Sequence, residues 1–377
     1  MKYMDIIKRN RELGVQLTSA PYKIGVISNI TVSHIMDILE LSLREEGLNA
    51  QVVLGDYDSI VQDSVKFASF DAVIIFWESG NFVNGIHNRA DSLSLAAYNE
   101  LALRLEVEIA LVLNNLKSTP LVLINKFSSK LFDSDPLRHS ALFNLCHRLN
   151  SVVEQLKFKN NIVIDIDQIL GILGHAKSVD YRQYQQSKSL YKLDFFKLYS
   201  SAIKPAFLSI CGRAKKILVL DCDNTLWGGV IGEDGLKGIV IADTDYKGKV
   251  FNEIQNIIKG LHNEGVLLAL CSKNNAQDVD NVFKSHPEMI LKKDDLISKK
   301  INWNDKASNI KEISLELNIG LDSFVFIDDS PFEIGLIREA LPEVSCFQVP
   351  ENLSEYPALV RKIKPLFFNL SVSEEDT

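Results

Sequence analysis

Short apolar runs alternate with longer amphipathic stretches through the first half of the chain. Residues 23–27 read as a strand, and residues 33–46 as a helix that turns Ile35, Ile38, Leu39 and Leu43 inward. Further strand-length runs fall at 51–54, 72–76, 120–124 and 161–165, the later ones separated by helical stretches near 92–116 and 136–156. Such alternation predicts an α/β fold with a mostly parallel sheet, because parallel strands need crossover helices that cover both faces. The Leu-rich stretch 101–116 reads as a buried helix rather than a partner-binding one. The pattern breaks between 174 and 215, in a polar segment that includes 181–188 and an amphipathic stretch over 194–210. A new alternation begins with a strand at 216–220. The domain boundary is therefore expected near residue 210, giving units 1–210 and 211–370 and an acidic, frayed tail at 371–377.

At 377 residues the chain is long enough for two such domains. Its 46% apolar and 24% charged content is that of an ordinary soluble protein. The net charge of -8, with both signs mixed along the chain, excludes a basic nucleic-acid footprint. The five cysteines are scattered and form no CxxC pair, which argues against a disulfide framework or a zinc site. Residues 1–16 carry no apolar signal core, and the longest apolar run, 266–271, is too short to span a bilayer. The expectation is a cytoplasmic protein with neither a nucleic-acid nor a membrane partner.

The densest chemistry begins where the strand at 216–220 runs straight into Asp221, Cys222 and Asp223. Ligands of open α/β sheets bind beyond the carboxyl ends of the strands, where this acid pair would sit. Two carboxylates one residue apart can hold a divalent cation, attack phosphorus or shuttle a proton. Three later clusters sharpen the picture. The apolar run 266–271 leads into Ser272, Lys273, Asn274 and Asn275, suited to phosphate oxygens. Asn304 and Asp305 open a helical stretch that would carry Lys306 at its start. The run 324–327 leads into a second acid pair, Asp328 and Asp329, followed by Ser330, Pro331, Phe332 and Glu333.

The order acid pair, hydroxyl, lysine, acid pair matches the four motifs of the haloacid dehalogenase superfamily. The run DCDNTLWGGVIGEDG from Asp221, followed by LCSKNN from Leu270, resembles its FkbH-like branch, subfamily IIIC. The likeness covers residues 215 to about 366. It implies a Rossmann-like catalytic domain in which Asp221 is the nucleophile that forms an aspartyl-phosphate. Asp223 would serve as general acid and then base. Mg²⁺ would be held by Asp221, the Asp223 backbone carbonyl and Asp329, with Asp328 beside it. Ser272, Lys273, Asn274 and Lys306 would bind phosphoryl oxygens. Glu333 would either support the metal or act as an acid at a helix start. Asn224 and Thr225 would shape the loop, and Trp227 and Trp303, which flank the motifs, are candidate substrate walls. Between the motifs there is room for a short flap at 228–241, a helix at 250–261, and little more than a helix between Ser272 and Lys306. The site should therefore lack a large cap.

FkbH-like proteins are associated with moving a glyceryl unit from 1,3-bisphosphoglycerate to an acyl carrier protein. That makes a small phosphorylated substrate and a carrier protein acting in trans the expected partners, and it calls for a thiol. Cys222 and Cys271 are the candidates, although buried free cysteines usually serve as small hydrophobes. Simple phosphatase action and a non-catalytic scaffold stay open as alternatives. The first half resembles an SGNH-hydrolase domain, with flavodoxin-like winding, through Ser28-Asn29, Gly55-Asp56 and Ser79-Gly80-Asn81. Asp180 to Gln183 lacks the histidine such an enzyme needs, and His175 is not in that setting, so this domain is read as non-catalytic. Trp77 and Glu78 are read as packing at a strand end.

Overall fold

The computed structural model of the chain describes residues 1–133, 137–241 and 245–370. The expected tail at 371–377 and the expected helix start at Pro136 lie outside the described residues. The chain divides into two compact units, Met1–Phe207 and Leu208–Thr377. Each is built on its own five-stranded parallel sheet, so the fold is α/β and doubly wound twice over. No helix among the described residues is long and apolar enough to cross a membrane.

The first sheet contains β1 (Tyr22–Ser28), β2 (Ala50–Leu54), β3 (Ala72–Phe76), β4 (Leu121–Asn125) and β5 (Asn161–Ile164), in the order β2-β1-β3-β4-β5. β3 and β4 are buried at every position, which is why they read as unbroken apolar runs. The helix Leu95–Asn115 buries Leu101, Leu105, Ile109, Val112 and Leu113 but exposes Leu103, Val107 and Leu111, so only one of its faces is core. Two helices had no clear pattern. Tyr3–Gln16 buries only Ile6 and Asn10, and Ile60–Lys66 spans barely two turns.

The strand order of this sheet reverses between β1 and β3, where a ligand crevice would open. Here the chain fills it. Asn29 and Glu78 exchange side-chain-to-backbone hydrogen bonds, and the Asn81 amide donates to the Asn29 carbonyl. The Tyr191 hydroxyl donates to the Glu78 carboxylate at 2.7 Å, and the Tyr184 hydroxyl donates to the Gly80 carbonyl.

The second sheet contains β6 (Ile217–Leu220), β7 (Leu267–Ser272), β8 (Leu296–Ile301), β9 (Phe324–Asp328) and β10 (Ser345–Gln348), in the order β10-β9-β6-β7-β8. The edge strands β8 and β10 had no sequence expectation. β8 carries Lys299 and Lys300, paired with Asp280 and with Glu312 and Glu316, and so reads as polar. Thus a helix, Ala276–Ser285, and an edge strand lie between Ser272 and Lys306, where little more than a helix was expected. Residues 228–241 fold as a flap, a short helix (Ile231–Gly238) closed by a bridge between Gly228 and Val240. Among the described residues neither insertion forms a separate cap domain.

Side-chain alternation divides β6 between two cores. Leu218, Leu220 and Cys222 join one face; Ile217 and Val219 join the other, with Ile310 and Ile313 of the helix Lys306–Leu317. Helix and strand therefore bring Lys306 and Asp221 to the same end of the same face.

Candidate active site

β6 lies at the centre of its sheet, and the strand order reverses between β6 and β9. Asp221 follows β6 and Asp328 closes β9, so the two acids flank the switch point. Between them lies the Lys306 ammonium, 2.7 Å from Asp221 Oδ1 and 2.6 Å from Asp328 Oδ2. All three side chains are buried, Lys306 being 5% exposed. A lysine in the first position of a helix opposes the helix dipole, and the two carboxylates offset that cost. Burial raises the Asp221 carboxyl to about 7, with the Lys306 ammonium pulling against the rise and Asp328 adding to it. The ammonium in turn titrates above its ordinary value: burial acts against its charge, and the two carboxylates outweigh it.

Asp221, Asp328 and Asp329 offer oxygens that lie within 4.8 Å of one another. Asp329 is only half-buried, and its carboxyl is raised by partial burial and by Asp328. Three carboxylates against one ammonium leave an excess of two negative charges among all-oxygen donors. That donor set and charge fit a hard divalent cation such as Mg²⁺. Asp328 Oδ1 accepts from the Ser330 backbone N–H and Oδ2 from Lys306, whereas the Asp329 carboxylate is hydrogen-bonded by the Asn224 side chain. The Asp223 carboxylate lies outside this triad. Its Oδ1 accepts from the Trp227 indole and the Ile231 N–H, and its Oδ2 from the Asn274 amide.

The turn that joins these acids is set locally. Asn224 adopts a left-handed conformation (φ 50°), which asparagine tolerates, and its side chain accepts from the Gly229 N–H at 3.0 Å. Ser272, at the end of β7, hydrogen-bonds to Asp221 and accepts from Asn274. Ser330 caps the helix Pro331–Ala340, with Pro331 at its start.

Four of the expected clusters thus meet at one place, but several side chains differ from expectation. Lys273, expected to bind phosphate, pairs through its ammonium with Glu333 at 2.7 Å, and Glu333 lies in the first turn of the helix Pro331–Ala340, one of the two places expected for it. Trp227 is no substrate wall, since it is fully buried and holds Asp223. Trp303 is exposed. The two cysteines expected as acyl carriers do not suit that task. Cys222 is sealed in the core, and burial, with Asp221 and Asp223 nearby, drives its thiol far up. Burial pushes the Cys271 thiol up to about 12, and its Sγ contacts the Lys306 carbonyl. Both thiols are buried and shifted upward, the opposite of the setting that activates a cysteine. Sequence reasoning missed Asn302 and Asn309, whose paired amides fix the segment before Lys306, with the Asn302 N–H on the Ser272 carbonyl. Neither has a local signature.

In the first unit, Ser28 donates to the Ile30 and Phe76 carbonyls. Among the described residues no hydrogen bond joins Ser28 to a histidine. Asp180 caps the helix Tyr181–Ser187 by accepting from the Gln183 N–H, a structural role.

No family model and no curated protein matches the chain. Among solved structures it is similar to the N-terminal part of the protein BF1531 from Bacteroides fragilis, described as containing a phosphatase domain and complexed with Mg. The two share 25% identity and a TM-score of 0.83, over 98% of this chain and 100% of that one. The likeness supports a haloacid-dehalogenase-type phosphatase fold. The D-lactate dehydrogenase of Escherichia coli also aligns, at 11% identity and a TM-score of 0.18.

Proposed function

We infer that the second unit is a Mg²⁺-dependent phosphatase acting on a phosphate monoester. The observation that carries this reading is the Lys306 ammonium bridging Asp221 and Asp328 within a triad of carboxylates at the sheet's switch point. Such a cluster is costly to bury, so stability does not account for it. The Mg-complexed B. fragilis protein, alike over nearly the whole chain, supports the same reading.

Asp221, Asp329, Asp328 and the Asp223 backbone carbonyl would hold the cation. When bound, Mg²⁺ supplies positive charge against the charge that builds on the phosphoryl oxygens. The Asp221 carboxylate attacks phosphorus, and the bond from phosphorus to the ester oxygen breaks. Asp223, held by its three donors, gives the departing oxygen a proton. Water then attacks the aspartyl-phosphate and gives its proton to Asp223, and inorganic phosphate leaves with Asp221 restored. Ser272 and Lys306 keep Asp221 oriented and bind oxygens of the transferring group.

The test is phosphate release from a panel of monoesters with Mg²⁺ or EDTA, for wild type and Asp221→Asn. Release that needs Mg²⁺ and falls at least about 10³-fold in the variant is expected, as for loss of an essential nucleophile. Equal release by both proteins sinks the reading.

Glyceryl transfer from a 1,3-bisphosphoglycerate-like donor to an acyl carrier protein, the activity associated with FkbH-like proteins, is the second reading. The capless site favours it by leaving room for a carrier. With Cys222 and Cys271 buried, transfer would pass directly to the carrier's own thiol. Intact mass of the carrier after incubation separates the two readings. The first unit, in which no histidine hydrogen-bonds Ser28 among the described residues, would serve as a non-catalytic SGNH-like domain in either case.

A further inference from the structure

The phosphoryl end of a bound ester is fixed by a buried floor, with Lys306 and Asp328 almost without exposure. The ester's other half must therefore project past the loops that carry the site. Those loops present large aromatics to solvent. Trp303, 71% exposed, stands between Asn302, whose N–H bonds the Ser272 carbonyl, and Lys306 three residues on. Its indole N–H donates to Asn275 Oδ1 at 3.3 Å, so the ring is held by its edge while its faces stay wet. Phe332, 67% exposed, lies between the Ser330 cap and Glu333. A tryptophan that is both anchored and this exposed has a stacking surface ready without ordering cost.

Charge narrows the occupant further. The lysines nearest Trp303 along the chain are all paired, Lys299 with Asp280, Lys300 with Glu312 and Glu316, and Lys306 with Asp221 and Asp328, and Lys273, next to Ser272, pairs with Glu333 at 2.7 Å. Among the described residues these lysines offer no spare positive charge for a second phosphate. Resting on the phosphatase reading, we propose that the leaving group is a neutral, planar aromatic ring that stacks on Trp303, with Phe332 as a second apolar contact. Trp303 is thereby the residue that determines specificity.

The experiment compares kcat/KM for 2-naphthyl phosphate and glycerol 1-phosphate, with Mg²⁺, in wild type, Trp303→Ala and Trp303→Phe. The ratio of the two rates removes their different intrinsic reactivities. It should fall about tenfold in Trp303→Ala, equivalent to about 1.4 kcal/mol, and largely return in Trp303→Phe, which keeps a flat face. Exposure of Trp303 means both variants fold. Calorimetric titration with 2-naphthylmethylphosphonate and methylphosphonate gives a readout independent of turnover. Tighter binding of the naphthyl compound by wild type, lost in Trp303→Ala, supports the proposal even if no ester is hydrolysed and the phosphatase reading has failed. A selectivity ratio unchanged in Trp303→Ala, or equal binding of both phosphonates by wild type, overturns it.

Discussion

Replacing Lys306 with methionine isolates the central electrostatic claim. Methionine keeps much of the apolar stem but removes the charge from between Asp221 and Asp328, both buried. Breaking a buried ion pair from one side costs about 3–5 kcal/mol, because a charge is left without a partner. For a domain of this class that is roughly 6–20 °C in Tm, at about 2–4 °C per kcal/mol. The loss has a pH signature. Burial already raises Asp221 to about 7, and removing the ammonium that opposes the rise sends it higher. A folded-state carboxyl titrating above its unfolded value binds more protons when folded. Its contribution is therefore intact below the ordinary carboxyl range and is lost as pH climbs through the raised value. The defect should be deepest near pH 8 and shallow near pH 5, where a proton replaces the missing cation. Urea unfolding in EDTA, with hydrogen exchange read on the β6 and β9 peptides, assigns the effect to the second unit. Added Mg²⁺ should recover more stability in the variant than in wild type, because binding to the folded state stabilises by mass action. A variant within about 1 kcal/mol of wild type at pH 8, or a defect that does not shrink at pH 5, would refute the reasoning.

Glu78 offers a second pH test, in the first unit. Burial raises its carboxyl despite the bonds from Tyr191 and Ser79 that pull the other way, so stability should decline as pH rises above the ordinary carboxyl range. Glu78→Gln should flatten that decline between pH 5 and 9 in thermal unfolding; an unaltered slope would show that Glu78 is not its source. Alkylation by iodoacetamide of the folded protein at pH 7.5 should spare Cys146, Cys222, Cys271 and Cys346, all buried with raised thiols, and modify the half-buried Cys211 first. Rapid labelling of Cys222 or Cys271, mapped by peptide mass, would return them to consideration as acyl carriers.

The sheets were legible where burial on both faces forces unbroken apolar runs, as in β3, β4 and β6. They were opaque in the second sheet's edge strands β8 and β10, where β8 interrupts its apolar run with paired lysines. The acids and Lys306 were legible for a related reason: each lies at the point where an apolar strand or a helix begins or ends, and chain direction fixes which end carries ligands. What could not be read were bonds made across long stretches of sequence. Lys273 meets Glu333 sixty residues on, and Asn274 reaches back to Asp223. Trp227 was misjudged because its environment depends on the tight turn at Asn224, which sends the indole inward instead of out to the cleft.

The same topological event occurs twice in this chain, with opposite outcomes. Between β1 and β3 every polar group named at the reversal finds a partner within its own unit, and Tyr184 and Tyr191 supply the last donors. A crevice so satisfied has little chemistry left to offer a ligand, which agrees with a Ser28 hydroxyl that bonds to the Ile30 and Phe76 carbonyls and accepts from the Ile30 N–H. Between β6 and β9 the balance is left open: two buried carboxylates share one ammonium, and a third, half-buried, lies beside them. Folding alone would select against that arrangement, since apolar side chains of similar volume would serve the core as well or better. Its presence at the position where doubly wound sheets take their ligands is the physical ground for looking for the chemistry in the second unit.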